Sequence, residues 1–389
     1  MNNTSFAPWP SFSKEEAQAI YDVLLSNRVN YWTGSEGKKF EIEFAKWCDV
    51  KYAIALSSGT VALDAAFKAL EISQGDEVIV TSRTFISTVS SIVNAGAIPI
   101  FADVDLDSQN ISPLSIRKKI TKNTKAIVCV HLAGWPCEMD TIINISDEFG
   151  LYVIEDCAQA HGAKYKGKNI GSFGHIACWS FCQDKIITTG GEGGMVTTND
   201  EILWKKIWSY KDIGRSYETK DTRYHNGFPW VRDSFGTNFR MTEMQAAIGR
   251  IQLKKMIFWH TKRLSNANKI WNVAREFKAF RATNIPNYIE HAAYKCYLFV
   301  IPSKLKRDWS RDRIVDEINA LDVPCSLGSC PEVYLEKAFD KTNFRPDRRL
   351  KNSQKLGETS LMFLVHPTLR DEEIQKTCDA IRRVMKLAS

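Results

Sequence analysis

The chain has 389 residues, with 52 lysines and arginines against 45 acidic residues and a formal net charge of +7. This length allows two or three domains, and the apolar content is ordinary for a soluble globular protein. The basic residues are dispersed and no basic run is interleaved with aromatic residues, which argues against a nucleic-acid-binding protein. A mild positive charge still suits an anionic substrate.

The cysteines and the apolar runs predict a cytoplasmic protein. Of the ten cysteines, Cys129, Cys157 and Cys178 lie inside apolar strand-like runs, where cysteine acts as a small hydrophobe. The cysteines in loop-like stretches lack the paired spacing of a metal site. The N-terminal residues contain no apolar signal-peptide region, and no apolar run approaches the ~18 residues that span a bilayer. We therefore expect a reducing compartment, no metal and no membrane partner.

Strands and helices alternate along the first half of the chain. The strand patterns cover residues 52–56, 77–81, 98–102, 126–130, 152–154, 176–179 and 195–198. Helical patterns lie at about 13–25, 40–47, 60–70, 86–95, 113–120 and 139–149. Alternation at this spacing predicts an α/β domain with a mainly parallel sheet covered by helices.

A small-residue turn, Ser57-Ser58-Gly59, separates the first strand from the helix that begins near Thr60. Unpaired N–H groups and the helix dipole at such a helix N-terminus can bind an anion. An ordinary turn between a strand and a helix has the same pattern, so this turn alone does not identify a ligand site.

The stretch from Val153 to Gly194 contains the strongest chemical signal. One apolar strand leads to Glu155 and Asp156, a second leads to Lys185, and a glycine-rich run follows. Open α/β sheets bind ligands at such strand ends. A lysine near a carboxylate is usually a solvated surface pair. Here the lysine follows an apolar run, and an amine beside a carboxylate is typical of pyridoxal 5'-phosphate (PLP) sites.

Several ordered motifs resemble the DegT/DnrJ/EryC1/StrS family of sugar aminotransferases. The central ones are E-D-x-A-Q-A-H-G-A, S-F-x-x-x-K and G-G-E-G-G, between residues 155 and 194. Further motifs lie at 57–60, 84–85, 238–241 and 245–249. The order matches the family over residues 30 to 250, and several ordered motifs are far more specific than one. The C-terminal third matches only loosely.

The resemblance implies fold type I, the aspartate aminotransferase-like architecture. Residues 1–250 would form a large PLP-binding α/β domain, and residues 251–389 a smaller C-terminal α+β domain. In the second domain, helical patterns at 242–277, 311–320 and 371–387 surround a strand at 297–301. The family is also expected to form homodimers with shared active sites, to which the polar loop at 214–237 would contribute.

The same resemblance assigns two catalytic residues. Lys185 would form the Schiff base with PLP and move a proton during the reaction. Asp156 would keep the pyridine nitrogen protonated, so that the ring can take up negative charge. Gln159 matches the family residue that contacts the ring hydroxyl.

Other family positions are expected to hold the cofactor ring and phosphate. Ser180 and the backbone of Gly59 and Thr60 match the phosphate ligands. Phe85 matches the aromatic residue that stacks on the ring, although an aromatic residue at a strand end is more often part of the core. Asn238 matches an asparagine donated to the phosphate across the dimer interface.

Substrate contacts are less specific in the sequence. Thr33 and Gly34 lie in a stretch that is near the sugar in relatives. His161 could act as a general base or contact substrate, but a lone histidine after a strand is more often a packing residue. Glu192, between glycines, fits a backbone turn at least as well. The segment Cys182-Gln183-Asp184 departs from relatives that have an aromatic residue or histidine after Ser-Phe, which obscures the substrate class.

The resemblance favours an aminotransferase that converts a nucleotide-linked keto-sugar to an amino sugar, with glutamate as amino donor. Such products supply lipopolysaccharide, capsule, O-antigen or related glycosides. An unlinked cyclic ketone or keto-sugar is the alternative substrate. A PLP-dependent sugar dehydratase is disfavoured because relatives of that kind replace the lysine found here as Lys185. A non-catalytic regulator need not keep Lys185, Asp156, Gln159 and Ser180 together.

Overall fold

A computed structural model describes residues 6–218, 232–281 and 283–389. In chain order, its strands are β1 (Tyr52–Leu56), β2 (Glu77–Thr81), β3 (Ile98–Ala102), β4 (Thr124–Val130), β5 (Tyr152–Asp156), β6 (Lys164–Tyr165), β7 (Lys168–Asn169), β8 (Ile176–Ser180), β9 (Gly194–Thr198), β10 (Phe280–Arg281), β11 (Ile289–Glu290), β12 (Cys296–Val300), β13 (Cys325–Ser326) and β14 (Ser360–Phe363). Its α-helices are α1 (Lys14–Leu25), α2 (Glu36–Cys48), α3 (Gly59–Ala69), α4 (Ile86–Asn94), α5 (Pro113–Lys119), α6 (Met139–Phe149), α7 (Glu201–Lys211), α8 (Glu243–Ala274), α9 (Arg311–Asn319), α10 (Lys351–Thr359) and α11 (Asp371–Ala388).

The large sheet contains seven strands in the order β1-β9-β8-β5-β4-β2-β3. Strands β3, β2, β4, β5 and β8 pair in parallel, which confirms the predicted α/β fold. The exception is β9, which runs antiparallel to both β8 and β1. A parallel arrangement of β8 and β9 would need a crossover element, and no helix separates these two strands. The β8–β9 connection instead carries Lys185.

Helices cover both faces of the large sheet. Helices α3 and α7 pack with sheet residues in one apolar core, while α2 and the first half of α8 pack in another on different sheet residues. The predicted apolar face of α3 is confirmed, since Leu63, Ala66 and Phe67 are buried. Sheets buried on both faces read as continuous apolar runs, which is why these strands were recognisable in the sequence.

A second, antiparallel sheet has the order β10-β12-β14-β13. Its core draws on the last part of α8 and on α9 and α11, and Phe6 joins it from the N-terminal segment. The division into residues 1–250 and 251–389 stays a prediction, because α8 continues unbroken through position 250. A small third sheet, β11-β6-β7, joins residues before and after α8.

The sequence patterns missed α7, α10, β14 and the two-residue strands. Helix α10 is polar, and its buried residues are only Ser353, Leu356 and Thr359, so it has little apolar periodicity. Of the predicted loop at 214–237, residues 219–231 lie outside the described residues. Within the described part of the chain, every helix is too short or too polar to cross a bilayer.

Candidate active site

The carboxyl ends of β5 and β8 place the two predicted catalytic residues on the same edge of the large sheet. The strands are adjacent and parallel, with Asp156 paired to Cys178. Asp156 is the last residue of β5 and is buried, while Lys185 follows the end of β8 by five residues. The Lys185 ammonium lies close enough to Asp156 to favour ionisation of its carboxyl group.

Asp156 is held by two hydrogen bonds. Its Oδ2 accepts from the Thr88 hydroxyl at 2.9 Å, and its Oδ1 accepts from the Ala158 amide at 3.1 Å. Burial raises the pKa of Asp156 above its usual value, although both bonds and Lys185 act in the opposite direction. A protonated ring nitrogen beside this carboxylate would relieve that cost, which fits the predicted role of Asp156.

Lys185 lies among polar and aromatic groups. Its Nζ is 3.4 Å from Oδ1 of Asp184 and 5.5 Å from the centre of the Tyr294 ring. Its carbonyl accepts a hydrogen bond from the Trp9 indole at 2.9 Å. Burial opposes ionisation of Asp184, but Lys185, the Tyr294 hydroxyl and Lys295 together lower its pKa. The lysine side chain is only 17% exposed, so its amine is partly desolvated, as a Schiff-base lysine requires.

The turn before α3 is closed against β8 and β9. A side chain on Gly59 would place its Cβ 2.6 Å from the Cβ of Ser180, so only glycine fits there. Ser58 caps the helix by accepting from the Val61 amide at 3.3 Å. No hydrogen bond among the described residues uses the amides of Gly59 and Thr60. Two such amides at a helix N-terminus, beside the Ser180 hydroxyl, suit a phosphate group.

Gln159 and Phe85 lie near the same strand ends. The Gln159 carbonyl oxygen accepts from the Ala133 amide at 2.9 Å, which leaves its amide nitrogen to donate to a ring hydroxyl. Phe85 directly precedes α4, the helix that carries Thr88, and its ring is 67% exposed. Together, a lysine, a buried carboxylate, a phosphate turn and an exposed aromatic ring fit PLP, and their individual roles stay predictions.

Asn238 lies next to the phosphate turn of its own chain. The carbonyl of the following residue, Phe239, accepts from the Ser57 amide at 2.9 Å, and Leu56 forms a bridge with Arg240. The Asn238 side chain is exposed. The predicted role of Asn238 across a dimer interface stays a prediction.

Thr33 and Gly34 line a separate cavity of about 480 Å³ between α1, α2 and α8. The space at Gly34 is filled by the Glu243 carboxylate, whose Oε1 accepts from the Gly37 amide at 3.1 Å. Nothing in this cavity comes from the strand ends that carry Asp156 and Lys185. Substrate contact by Thr33 and Gly34 stays a prediction.

The other two candidate substrate residues differ in exposure, since His161 is buried and Glu192 is exposed, and substrate contact by either stays a prediction. The His161 ring is fully buried and packs against Trp179 and Phe181, with ring centres 5.2 and 5.7 Å away. Burial, with Lys185 nearby, lowers the pKa of His161 to about 3, so the ring is neutral. The Glu192 backbone carbonyl accepts hydrogen bonds from the Thr189 hydroxyl and the Gln245 side-chain amide.

Two residues at this site were missed in the sequence. Thr88 positions Asp156, and its hydroxyl also bonds the Thr84 hydroxyl at 2.9 Å. Thr84 and Thr88 are four residues apart at the start of a helix, and this spacing could have predicted that their side chains are neighbours. Tyr294 contacts Asp184 from 110 residues away, and no local pattern predicts such a contact.

A buried group of His131, Glu155 and Cys157 has the residue types of a metal site, but hydrogen bonds already use the ring nitrogens of His131 and the carboxylate of Glu155. The Cys137 amide donates to Nδ1 of His131, so Nε2 carries the hydrogen and donates to Glu155 at 3.1 Å. Amides of the 171–174 turn donate to the Glu155 carboxylate. Through these hydrogen bonds, His131 and Glu155 join the ends of β4 and β5 to the 171–174 turn, which is a structural role.

Comparison with known proteins identifies the family. The chain matches the profile of the DegT/DnrJ/EryC1/StrS aminotransferase family over residues 10–382. It belongs to this family. As the fold and the site residues indicate, this DegT/DnrJ/EryC1/StrS member is a PLP-dependent aminotransferase.

Relatives cover nearly the whole chain of this family member. A solved aminotransferase from Psychrobacter cryohalolentis is 58% identical, with a TM-score of 0.96 and coverage of 98% of this chain and 99% of the other. The dTDP-3-amino-3,6-dideoxy-α-D-galactopyranose transaminase of Aneurinibacillus thermoaerophilus is 33% identical over 96% of both chains. The GDP-perosamine synthase of Caulobacter vibrioides is 33% identical over 94% of this chain and 95% of its own.

Proposed function

We propose that this aminotransferase transfers an amino group from glutamate to a nucleotide-linked keto-sugar. The observation that carries the proposal is the placement of Asp156 and Lys185 at and beyond the ends of two adjacent parallel strands, in a chain whose full-length relatives include a dTDP-sugar transaminase. The amino sugar would serve lipopolysaccharide, capsule, O-antigen or related glycoside synthesis in the cytoplasm. One full-length relative is named for a GDP sugar and another for a dTDP sugar, so the feature that their names share is a nucleotide-linked sugar.

Each site residue has a proposed task. When bound, PLP supplies an electron sink for the substrate carbon. The Lys185 amine binds the cofactor covalently and, once released, carries a proton at Nζ. Asp156 holds the proton on the ring nitrogen, and Thr88 fixes the orientation of that carboxylate. Gln159 donates to the ring hydroxyl.

The remaining groups hold the ends of the cofactor. The amides of Gly59 and Thr60 and the Ser180 hydroxyl bind the phosphate, because they lie together at the N-terminus of α3. Phe85 covers one face of the cofactor ring. This contact would bury the Phe85 side chain, which is exposed in the chain alone.

The substrate class is tested with purified enzyme, glutamate and a panel of keto-sugars linked to GDP, dTDP or UDP, together with unlinked cyclic ketones. We expect a nucleotide sugar in which the carbonyl oxygen is replaced by an amino group and a hydrogen, detected by mass, with 2-oxoglutarate as coproduct. The Lys185→Ala variant is the control for non-enzymatic amination. Amination of unlinked ketones alone would contradict the nucleotide-sugar proposal, and loss of a sugar hydroxyl would indicate a dehydratase.

We propose that Asn238 completes the phosphate site of the partner subunit in a homodimer. An asparagine amide can donate to a phosphate oxygen, and the exposed side chain of Asn238 leaves it available for this contact. Asn238→Ala should weaken PLP binding by about 10- to 100-fold without unfolding the chain, as for a lost hydrogen bond to a charged group. A titration of the variant with PLP, followed by absorbance, measures this loss.

Subunit mixing decides which chain Asn238 serves. Lys185→Ala and Asn238→Ala dimers are mixed under conditions that exchange subunits. If Asn238 acts across the interface, each mixed dimer contains one site with both wild-type residues, and activity rises above that of either parent. The control is each variant taken through the same exchange alone. Confirmed exchange with activity no greater than the average of the parents would place Asn238 in its own chain's site.

A further inference from the structure

A second cavity lies at Asp184, the residue before Lys185, on the side of the small antiparallel sheet. It has a volume of about 450 Å³ and lies between the N-terminal segment, residues 6–9, and residues of β13 and β14. Asp184 and Lys295 line it, as does His366. The Asp184 carboxylate that lines the cavity is 3.4 Å from the Lys185 ammonium, so the cavity and the reactive amine share this carboxylate as a neighbour.

Lys295 provides the cavity with an unpaired positive charge. Both oxygens of Asp184 are engaged, one 3.4 Å from the Lys185 ammonium and the other by the Tyr294 hydroxyl. Within residues 6–218, 232–281 and 283–389, no hydrogen bond or ion pair uses the Lys295 ammonium, which lies 4.9 Å from the centre of the Tyr294 ring. Burial lowers the pKa of Lys295 to about 8, with Asp184 opposing this effect. The side chain is therefore still mostly protonated at neutral pH.

The other ionisable groups around Lys295 do not neutralise its positive charge. Arg263 is buried with its planar group 4.8 Å from the centre of the Trp9 ring, and its Nε and Nη2 have no partner among the described residues. Burial, with Arg263 and Lys295 nearby, lowers the pKa of His366 to about 3, so this ring is neutral. The carboxylate of Glu373 is already bonded to the Ala7 amide and to Arg370. A bound anion would therefore compensate the positive charges of Lys295 and Arg263.

We propose that Lys295 binds a carboxylate group of a substrate in this cavity. Lys185 and Lys295 lie against the same Tyr294 ring, so one small molecule can reach both ammonium groups. The carboxylate can come from the amino donor or from a uronic acid sugar acceptor, and both sources offer the same oxygen ligands. The inference rests on the proposed function, because it concerns a substrate of the same site.

Binding of non-reacting carboxylates tests Lys295 without requiring transamination. Calorimetric titrations of the PLP-loaded enzyme use glutarate for the donor, and UDP-glucuronate against UDP-glucose for the sugar. Lys295→Met removes the charge at similar length, Lys295→Arg keeps the charge, and Lys278→Met removes an exposed lysine from elsewhere in the chain. Cofactor content and thermal unfolding are measured for every variant, so that a folding defect is recognised.

We expect Lys295→Met to lose about 10- to 100-fold in affinity for one carboxylate probe, while Lys295→Arg loses less and Lys278→Met is unchanged. If Lys295→Met binds glutarate more weakly than wild type, the carboxylate at Lys295 comes from the amino donor. A loss for UDP-glucuronate that is absent for UDP-glucose identifies a uronic acid sugar. Equal affinities in folded wild type and Lys295→Met, or no binding of either carboxylate by wild type, overturn the inference. If Lys295→Met loses glutarate while wild type aminates no keto-sugar, the proposed function fails and the carboxylate site stands.

Discussion

Lys185→Ala is expected to abolish covalent cofactor attachment and to lower the turnover number by more than about 10³-fold. The lysine serves both as the nucleophile that binds PLP and as a proton carrier, and alanine can do neither. Its side chain is partly exposed and its ion pair with Asp184 links neighbouring residues, so the fold should persist. Turnover is measured with the best keto-sugar nucleotide and glutamate.

Borohydride reduction followed by peptide mass analysis locates the covalent bond. In reduced wild type, the added cofactor mass should lie on the peptide that contains Lys185, and the variant should carry none. Lys206→Ala is a matched control, because it removes a lysine from an exposed ion pair with Glu71. Cofactor mass on a peptide without Lys185 would show that another residue is the anchor.

Asp156→Asn is expected to keep PLP but to lower the turnover number by about 10²- to 10³-fold, similar to the loss of other preorganised electrostatic groups. A neutral amide lacks the negative charge that holds a proton on the ring nitrogen. Burial already disfavours the charged carboxylate in the folded chain, so the uncharged amide should not destabilise it. The rate of the half-reaction with glutamate, followed by absorbance, measures the effect.

The control for Asp156→Asn is Asp140→Asn, which makes the same chemical change in an exposed ion pair with Lys166. Thr88→Val gives an intermediate test, since it removes the hydroxyl that bonds Oδ2 and leaves the carboxylate charge. We expect the rate of Thr88→Val to lie between those of wild type and Asp156→Asn. Near-normal turnover in Asp156→Asn with full cofactor content would remove the proposed role from this carboxylate.

The sequence by itself predicted the strands of the large sheet and the positions of Asp156 and Lys185 near the ends of two of them. Strands such as β1, β2 and β3 were predicted to the residue, because strands buried on both faces are short apolar runs between turn residues. Asp156 is the last residue of one such strand, and Lys185 follows another. Their placement on one edge therefore follows from the parallel order of the sheet.

Only the tertiary structure decided what surrounds these two residues. The antiparallel direction of β9 goes with a connection from β8 that contains no helix, and it is not encoded in the apolar pattern of the strand. Tyr294 reaches Asp184, and Lys295 faces the same cavity, because the second sheet packs beside the first. Contacts across more than a hundred residues leave no periodic signal, since periodicity records only which face of one element is buried.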